Sequence, residues 1–152
     1  MSATTSFLTE DMRQQAIGVE SAPSTTEVEM GAIRKFAEAI EDTNPLWNNE
    51  WEARHTRHGG LVTPPTFLRS MKTLRAELPF EMPFDRVLDG GSEWEYFEAV
   101  LPGDHITTID RVEDMREHTG RMGLMVITTA KITYRNQFDA VVATQTSTVI
   151  HY

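Results

Sequence analysis

The chain has 152 residues, of which 39% are hydrophobic and 24% are charged, and its formal net charge at pH 7 is −9. This length fits one domain with a single core, and the acidic balance argues against binding to nucleic acids or to anionic membranes. With no cysteine, the sequence excludes disulfides, thiolate nucleophiles and thiolate-bound metals. It has no signal-peptide pattern and no run near the ~20 apolar residues of a membrane span, so a cytoplasmic protein is expected.

The first predicted helix lies in a polar N-terminal segment, residues 1–24, ahead of a main domain predicted to span residues 25–152. Thr9 is placed to cap this short helix, because a threonine hydroxyl accepts from the free N–H groups of a first turn. Gly18 is placed to end it, since glycine adopts the left-handed conformation that follows many helices.

A second helix is predicted from about Glu27 to Glu41. Thr26-x-x-Glu29 resembles a capping box, and apolar residues follow at helical spacing, Ile33, Phe36, Ala37 and Ile40. The helix is predicted to stop at Asp42-Thr43-Asn44, because Pro45 pushes the residue before it out of the helical region.

A third helix is predicted from Pro64 to Leu78, after a short helix between Asn48 and His55. Thr63 is a good N-cap, proline is tolerated at the first helical position, and Pro79 stops the helix. The apolar residues Phe67, Leu68, Met71, Leu74 and Leu78 form one stripe. This segment is predicted to be the central helix of the fold.

The rest of the chain has the period of strands. Four strands are predicted around Trp94 and Tyr96, around Ile106 to Val112, and at two alternating runs, Leu124 to Tyr134 and Val142 to Ile150. Turns are predicted at Pro102-Gly103-Asp104, His118-Thr119-Gly120 and Asn136 to Asp139. Helices followed by strands indicate an α+β fold, an antiparallel sheet packed over one long helix.

Two segments also carry a family resemblance, Asp42-Thr43-Asn44-Pro45-Leu46-Trp47 and Gly59-Gly60-Leu61-Val62-Thr63-Pro64-Pro65-Thr66-Phe67-Leu68. They resemble the MaoC-like hydratases and dehydratases, and more closely their N-terminal dehydratase-like branch. The resemblance continues at Gly90 to Phe97, Pro102-Gly103-Asp104 and Tyr134 to Gln137. It implies a single hot-dog domain, an antiparallel β-sheet wrapped around a long central helix. It also implies pairing, as a homodimer or a hetero-oligomer with a second MaoC-like hot-dog chain.

The activity implied by the resemblance is that of an enoyl-CoA hydratase or 3-hydroxyacyl-CoA dehydratase, acting on a CoA thioester with no cofactor and no metal. The family uses an Asp and a His five positions apart, and these positions are Asp42 and Trp47 here. An indole N–H donates a hydrogen bond but does not exchange a proton near neutral pH, so this dyad is incomplete. Pro64-Pro65 also lacks the N–H that helps to bind the enolate oxygen, which leaves Thr66 or Gly60 as a substitute.

Each candidate residue also has a structural interpretation. Asp42 could be the catalytic carboxylate or a brace for the turn at Asn44-Pro45, and Trp47 could line an acyl pocket or fill the core. The substrate-binding candidates are Asn44, Trp47, Gly60, Thr63, Thr66 and Arg69. Arg69 and its neighbours Lys72 and Arg75 could meet CoA phosphates or complement a helix dipole. His55 and His58 could be a metal site or a relocated acid/base, or remain solvated.

Three functions are therefore compared. The first is a hydratase subunit that shapes the acyl-CoA pocket beside a catalytic MaoC-like partner. The second is a self-sufficient homodimeric hydro-lyase that uses Asp42 with a displaced histidine such as His58. The third is a non-catalytic acyl-CoA-binding hot-dog module, with a thioesterase as its enzymatic variant.

Overall fold

A five-stranded antiparallel sheet organises the computed structural model, which describes residues 6–152. The strands are β1 (Ser24–Glu27), β2 (Val87–Tyr96), β3 (His105–Gly120), β4 (Gly123–Arg135) and β5 (Val141–His151), in the order β1-β3-β4-β5-β2. The helices are α1 (Glu10–Ala16), α2 (Met30–Ala39), α3 (Pro45–Asn48) and α4 (Glu50–Arg54), and Pro65–Ser70 forms a 3-10 helix. The α+β class and the antiparallel sheet are confirmed. Among the described residues, no helix is long and apolar enough to cross a membrane.

The predicted N-terminal helix is confirmed as α1, although residues 1–5 of its segment lie outside the described residues. The hydroxyl of Thr9 accepts a hydrogen bond from the Met12 N–H at 3.1 Å, and Gly18 has a φ of +87° after the helix. Arg13 joins α1 to β3 through its 2.7 Å contact with Asp114. The segment thus packs on the sheet, and the boundary at residue 24 stays a prediction.

Glu117 of β3 fixes the chain ahead of α1. One of its carboxylate oxygens accepts the backbone N–H groups of Phe7 and Leu8, both at 2.8 Å. The Leu8 N–H, followed by the Phe7 N–H, lowers the pKa of Glu117 below its ordinary value. The ionised carboxylate is therefore the form that holds this segment in place.

We expect Glu117→Gln to lower the free energy of unfolding at pH 7 by about 1 kcal/mol, because two charge-assisted hydrogen bonds are weakened in a partly solvated setting. The pKa of Glu117 is lower in the folded protein than in the unfolded chain. This stabilisation is therefore complete at pH values above the unfolded pKa of about 4.3, and it disappears as the pH falls through the folded pKa. Urea unfolding of the wild type and of Glu117→Gln, at pH 7 and at acid pH, measures this difference in stability. An equal difference at both pH values would contradict the charge argument.

The second predicted helix is confirmed in place but is shorter, Met30–Ala39. Ile33 and Ala37 are fully buried, as the spacing predicted. The predicted capping box is wrong: Glu29 is the N-cap without a side-chain cap bond, and Thr26 lies in β1. The pairing of β1 with β3 explains the difference, because the four residues of β1 form antiparallel backbone hydrogen bonds with β3 in place of one helical turn.

The predicted central helix from Pro64 to Leu78 is wrong. The chain forms only the 3-10 helix Pro65–Ser70, and the residue after it, Met71, is extended with φ −72° and ψ 145°. The predicted apolar stripe is broken up: Phe67, Leu68 and Met71 pack with α2 and Leu78 packs near β3, whereas Leu74 is exposed. Residues 71–86 cross the sheet as irregular chain, and α2 is the longest helix of the described part.

Smaller corrections concern where elements begin and end. The predicted short helix between Asn48 and His55 is confirmed as α4, which the Asn49 side chain caps, whereas α3 just ahead of it was not predicted. The predicted turn at His118 to Gly120 is wrong, since β3 continues to Gly120 and the chain turns at Arg121-Met122. The turns at Pro102-Gly103 and at Asn136 to Asp139 are confirmed.

Candidate functional site

A cleft of about 400 Å³ opens where the end of β2 meets α3 and the 3-10 helix. We call it the Trp47 cleft. Its lining includes Trp47 from α3, His58 and Thr63 from the following loop, and residues 96–100 at and after the end of β2. Most of this surface is apolar, as in a pocket for a hydrocarbon group. Backbone bonds set its shape: the Thr63 N–H donates to the Val100 carbonyl at 2.9 Å.

Trp47 belongs to both the core and the cleft. Its side chain is 8% exposed, packs in the cluster that contains α2 and Tyr134, and also lines the Trp47 cleft. Its indole Nε1 is buried and has no hydrogen-bond partner among residues 6–152. A buried donor without an acceptor costs about 1–3 kcal/mol, so a ligand oxygen within reach would be favoured. Trp47 thus packs in the core and also lines the cleft, while its contact with an acyl group stays a prediction.

Asp42 and Asn44 build the turn ahead of the cleft and do not line it. The Asp42 carboxylate accepts the Asn44 N–H at 3.0 Å, and the Asn44 side chain accepts the Leu46 N–H at 2.9 Å. The Asn48 amide donates to the Asp42 carbonyl at 2.8 Å. These contacts orient α3 and with it the indole of Trp47. A catalytic role of Asp42 and a ligand contact of Asn44 stay predictions.

The other sequence candidates are not gathered in one place. Thr63 is buried and lines the Trp47 cleft, whereas Gly60 and Thr66 lie outside its lining. Arg69 lines a separate pocket beside β2 and β5, together with Arg75. Substrate binding by each of them stays a prediction.

The two predicted histidines have different surroundings. His58 is partly buried and lines the Trp47 cleft. His55 is exposed, contacts the Trp51 carbonyl through Nδ1 at 2.7 Å and packs against the Trp51 ring in a tilted arrangement, with 4.5 Å between the ring centroids. Within residues 6–152 no three His, Asp or Glu side chains are grouped to hold a metal. His58 is therefore the histidine that could reach a ligand in the cleft.

The sequence analysis missed the lining formed by residues 96–100. Tyr96 and Glu98 enter the cleft because β2 ends at Tyr96 and the next backbone bonds return to Val142 of β5. Burial raises the pKa of Tyr96, so its phenol stays neutral at pH 7 and can donate a hydrogen bond. The signal for this lining that the sequence offered was the aromatic pair Tyr96-Phe97 followed by Glu98 at the end of a predicted strand.

The edge strand β2 is a second surface beside the cleft. All its residues except the half-buried Trp94 are exposed, and it has a neighbour on one side only, β5. Large apolar side chains remain in solvent there and just beyond, Val87, Leu88, Tyr96 and Phe97. A long exposed edge with apolar residues is a surface on which another strand can pair.

Comparison with known proteins gives a match over most of the chain. A family model described as "FAS1-like, dehydratase domain region" matches residues 15–145. A UPF0336 protein of Saccharopolyspora erythraea is 33% identical over 119 residues, covering 74% of this chain and 76% of that protein. A Thermomonospora curvata protein named "Probable enoyl-CoA hydratase alpha subunit" is 31% identical over 137 residues, covering 78% of this chain and 43% of that protein. The chain thus spans less than half of this last relative.

Two solved structures share the architecture. The MaoC-like dehydratase from Rhodospirillum rubrum has a TM-score of 0.73 at 24% identity, covering 91% of this chain and 94% of that one. A chain of the ChsH1-ChsH2 complex from Mycobacterium tuberculosis has a TM-score of 0.74 at 20% identity, covering 93% and 87%. At these low sequence identities, the similarity to the two structures shows a shared fold and nothing further.

Proposed function

Because this chain belongs to the FAS1-like dehydratase-region family and has the MaoC-like hot-dog fold, we propose that it is a subunit of an enoyl-CoA hydratase or 3-hydroxyacyl-CoA dehydratase. In this proposal it forms the acyl-thioester pocket, and a catalytic hot-dog partner supplies the acid and the base. The observation that carries the proposal is Trp47 itself, which lines the apolar cleft and whose buried indole N–H has no partner in the described part of the chain.

The chemistry of hydration explains why a partner is needed. One group must take a proton from water, another must protonate the carbon next to the thioester carbonyl, and N–H donors must hold the enolate oxygen. Trp47 can donate a hydrogen bond but cannot exchange its proton near neutral pH. The Asp42 carboxylate is bonded to the Asn44 N–H in the turn. Orientation of the thioester is therefore the task that this chain's own residues can perform.

The partner proposed here is a second hot-dog chain that pairs along the β2 edge. Two antiparallel sheets joined at such edges form one longer sheet and satisfy the free backbone groups of both. Strand pairing at β2 would also bring partner residues beside the Trp47 cleft, since Tyr96 ends β2 and lines the cleft. The M. tuberculosis structure is a complex of two named proteins, and the T. curvata relative is named an alpha subunit, which supports the presence of a second chain.

We expect the isolated chain to hydrate enoyl-CoA substrates at background rate, and a complex with a MaoC-like protein of the same host to be active. Loss of enoyl-thioester absorbance across several chain lengths gives the rate, and size-exclusion chromatography with light scattering gives the assembly. A homodimer that is active alone would overturn the subunit proposal. Tight thioester binding without turnover, even with candidate partners present, would instead identify a binding module.

His58 supports a second candidate, the self-sufficient hydro-lyase, because it lines the same cleft as Trp47. Activity of the isolated chain that is lost in both His58→Gln and Asp42→Asn would establish it. Retention of that activity in His58→Gln would exclude His58 as the displaced acid or base.

A further inference from the structure

The face of the sheet that packs on α2 carries a band of polar residues at its centre. Strand register aligns Asp110, Ile132, Gln145 and Trp94 in one row across β3, β4, β5 and β2. The next row contains Val112, Ala130, Ser147 and Ser92. These rows lie between the two apolar clusters of the molecule, one around α2 and Tyr134 and the other around Met115 and the residue 76–84 segment.

Buried hydroxyl groups in and next to this band have no partner in the described part of the chain. Ser147 is 6% exposed and its Oγ makes no hydrogen bond, and the same is true of Thr128 Oγ1 on the neighbouring strand. Gln145 is equally buried and accepts from the Tyr134 hydroxyl at 3.3 Å. Buried polar groups are nearly always paired in proteins, so unpaired ones side by side indicate a place for a polar ligand or ordered water.

A pocket of about 260 Å³ lies over this band, with Gln145 and Ser147 in its floor and Arg69 and Arg75 in its wall. We call it the polar pocket. Arg69 has no ion-pair partner among residues 6–152, whereas Arg75 lies 3.9 Å from the buried Asp110. Asp89 also lines the polar pocket, but its carboxylate accepts the Gly91 N–H at 2.8 Å. Of the two arginines in this pocket, Arg69 is therefore the one without an ion pair in the described part of the chain.

The Tyr134 phenol lies within electrostatic range of Arg69 and Arg75. Burial raises its pKa to about 12, while the positive charges of Arg69 and Arg75 act in the opposite direction. The phenol is therefore neutral at pH 7 and remains the donor in its bond to Gln145, which fixes the orientation of the amide.

We infer that the polar pocket binds an anionic oxygen group of the thioester ligand, with Arg69 as its counter-ion and Ser147 and Gln145 as hydrogen-bond donors. This inference rests on the proposed function. Two parts of such a ligand carry this chemistry, a carboxylate on the acyl group and a phosphate of CoA. Arginine suits either one, because its planar guanidinium donates two parallel hydrogen bonds to an oxyanion.

The position of the polar pocket sets a length for the ligand. Ser92 lines the polar pocket and Tyr96 lines the Trp47 cleft, on the same face of β2 and four residues apart. At about 3.3 Å per residue, the two sites are about 13 Å apart along the strand. A ligand held at Trp47 that also reaches the polar pocket must therefore span about this distance and pass Trp94, which lies between Ser92 and Tyr96 on the same face.

The test measures binding of the chain, alone and in its complex, to ω-carboxyacyl-CoA esters of increasing length, to neutral acyl-CoA esters of equal length, and to free CoA. We expect Arg69→Gln to remove a preference of tenfold or more for one carboxyacyl length and to leave the neutral esters unchanged. The matched control is Arg116→Gln, because Arg116 is exposed on the other face of β3 and lines neither site.

The outcomes separate the two sources of the anion. If Arg69→Gln weakens the binding of free CoA and of every ester by the same factor, the bound group is a phosphate. If it changes no affinity, the inference is overturned. Ser147→Ala adds a second measurement, since we expect it to weaken the ligand that Arg69→Gln weakens.

Free suberate and inorganic phosphate test the polar pocket without any thioester. We expect one of them to raise the melting temperature of the wild type and of Arg116→Gln, but not that of Arg69→Gln. This result together with no acyl-CoA binding would refute the proposed function and leave the anion site standing. No stabilisation by either anion, together with wild-type thioester binding by Arg69→Gln, would refute the anion site alone.

Discussion

Trp47→Ala should lower the free energy of unfolding by about 3–5 kcal/mol and weaken acyl-CoA binding at least tenfold. The stability loss follows from removing a side chain that is 8% exposed and packs in the larger apolar cluster. The affinity loss follows from removing both apolar wall and hydrogen-bond donor from the Trp47 cleft. Urea unfolding and calorimetric titration measure the two effects independently.

Trp47→Phe is the matched control, because it keeps an aromatic ring and removes only the indole N–H and part of the volume. The unfolding free energy should change by about 1 kcal/mol or less, since the lost packing is offset by removing an unsatisfied buried donor. Affinity for the thioester should still fall severalfold. Unchanged affinity in Trp47→Phe would show that the indole N–H does not meet the ligand.

Trp47→His should not create an active hydratase. It restores an ionisable side chain at the position that the resemblance assigns to the proton donor, but the Pro64-Pro65 opening still lacks an enolate donor. Loss of one such donor costs on the order of 10²–10³ in rate. Turnover by the isolated Trp47→His chain would mean that this chain holds the remaining catalytic groups itself.

The strands were predictable because their alternation is a local signal. In β4 every second residue from Val126 to Tyr134 is buried, as the run of apolar residues indicated. In β5 the same reasoning failed to show what faces the core. Thr144 and Thr146 were part of the predicted alternation, yet the register places Gln145 and Ser147 on the α2 side of the sheet. Polar residues toward a core break the pattern, so only the register reveals them.

The candidate site was predictable where the chain is contiguous. Trp47 and Thr63 were expected near a ligand and both line the cleft. The wall from Tyr96 to Val100 comes from a strand end more than 30 residues away in sequence, and nothing in the spacing links it to α3. Arg69 was expected beside these residues but lies at the polar pocket, although it follows Thr63 by only six residues and belongs to the 3-10 helix.

The failed central helix has an identifiable cause in Asp110 of β3. The spacing of apolar residues between Pro64 and Leu78 suits a helix. The Ala76 N–H, however, donates to the Asp110 carboxylate at 3.0 Å, an acceptor 34 residues away. The Ser70 hydroxyl donates to the Phe67 carbonyl at 2.6 Å and satisfies the end of the 3-10 helix. The Lys72 carbonyl accepts from the Ser24 hydroxyl at 3.1 Å. The bonds to Asp110 and Ser24 are long-range, replace helical ones and hold the segment across the sheet.

Asp110→Ala should lower the free energy of unfolding by about 2 kcal/mol and loosen residues 71–86. The side chain is 4% exposed, so its loss leaves the Ala76 N–H without its acceptor and removes the negative charge 3.9 Å from the half-exposed Arg75. Asp110→Asn is the control, since its amide oxygen can still accept from Ala76 while the charge is lost. Hydrogen exchange should show faster exchange of the amides of residues 71–86 in Asp110→Ala than in Asp110→Asn. Slow exchange in both variants, with stability within about 0.5 kcal/mol of wild type, would mean that apolar packing of Leu78 and its neighbours holds the segment without Asp110.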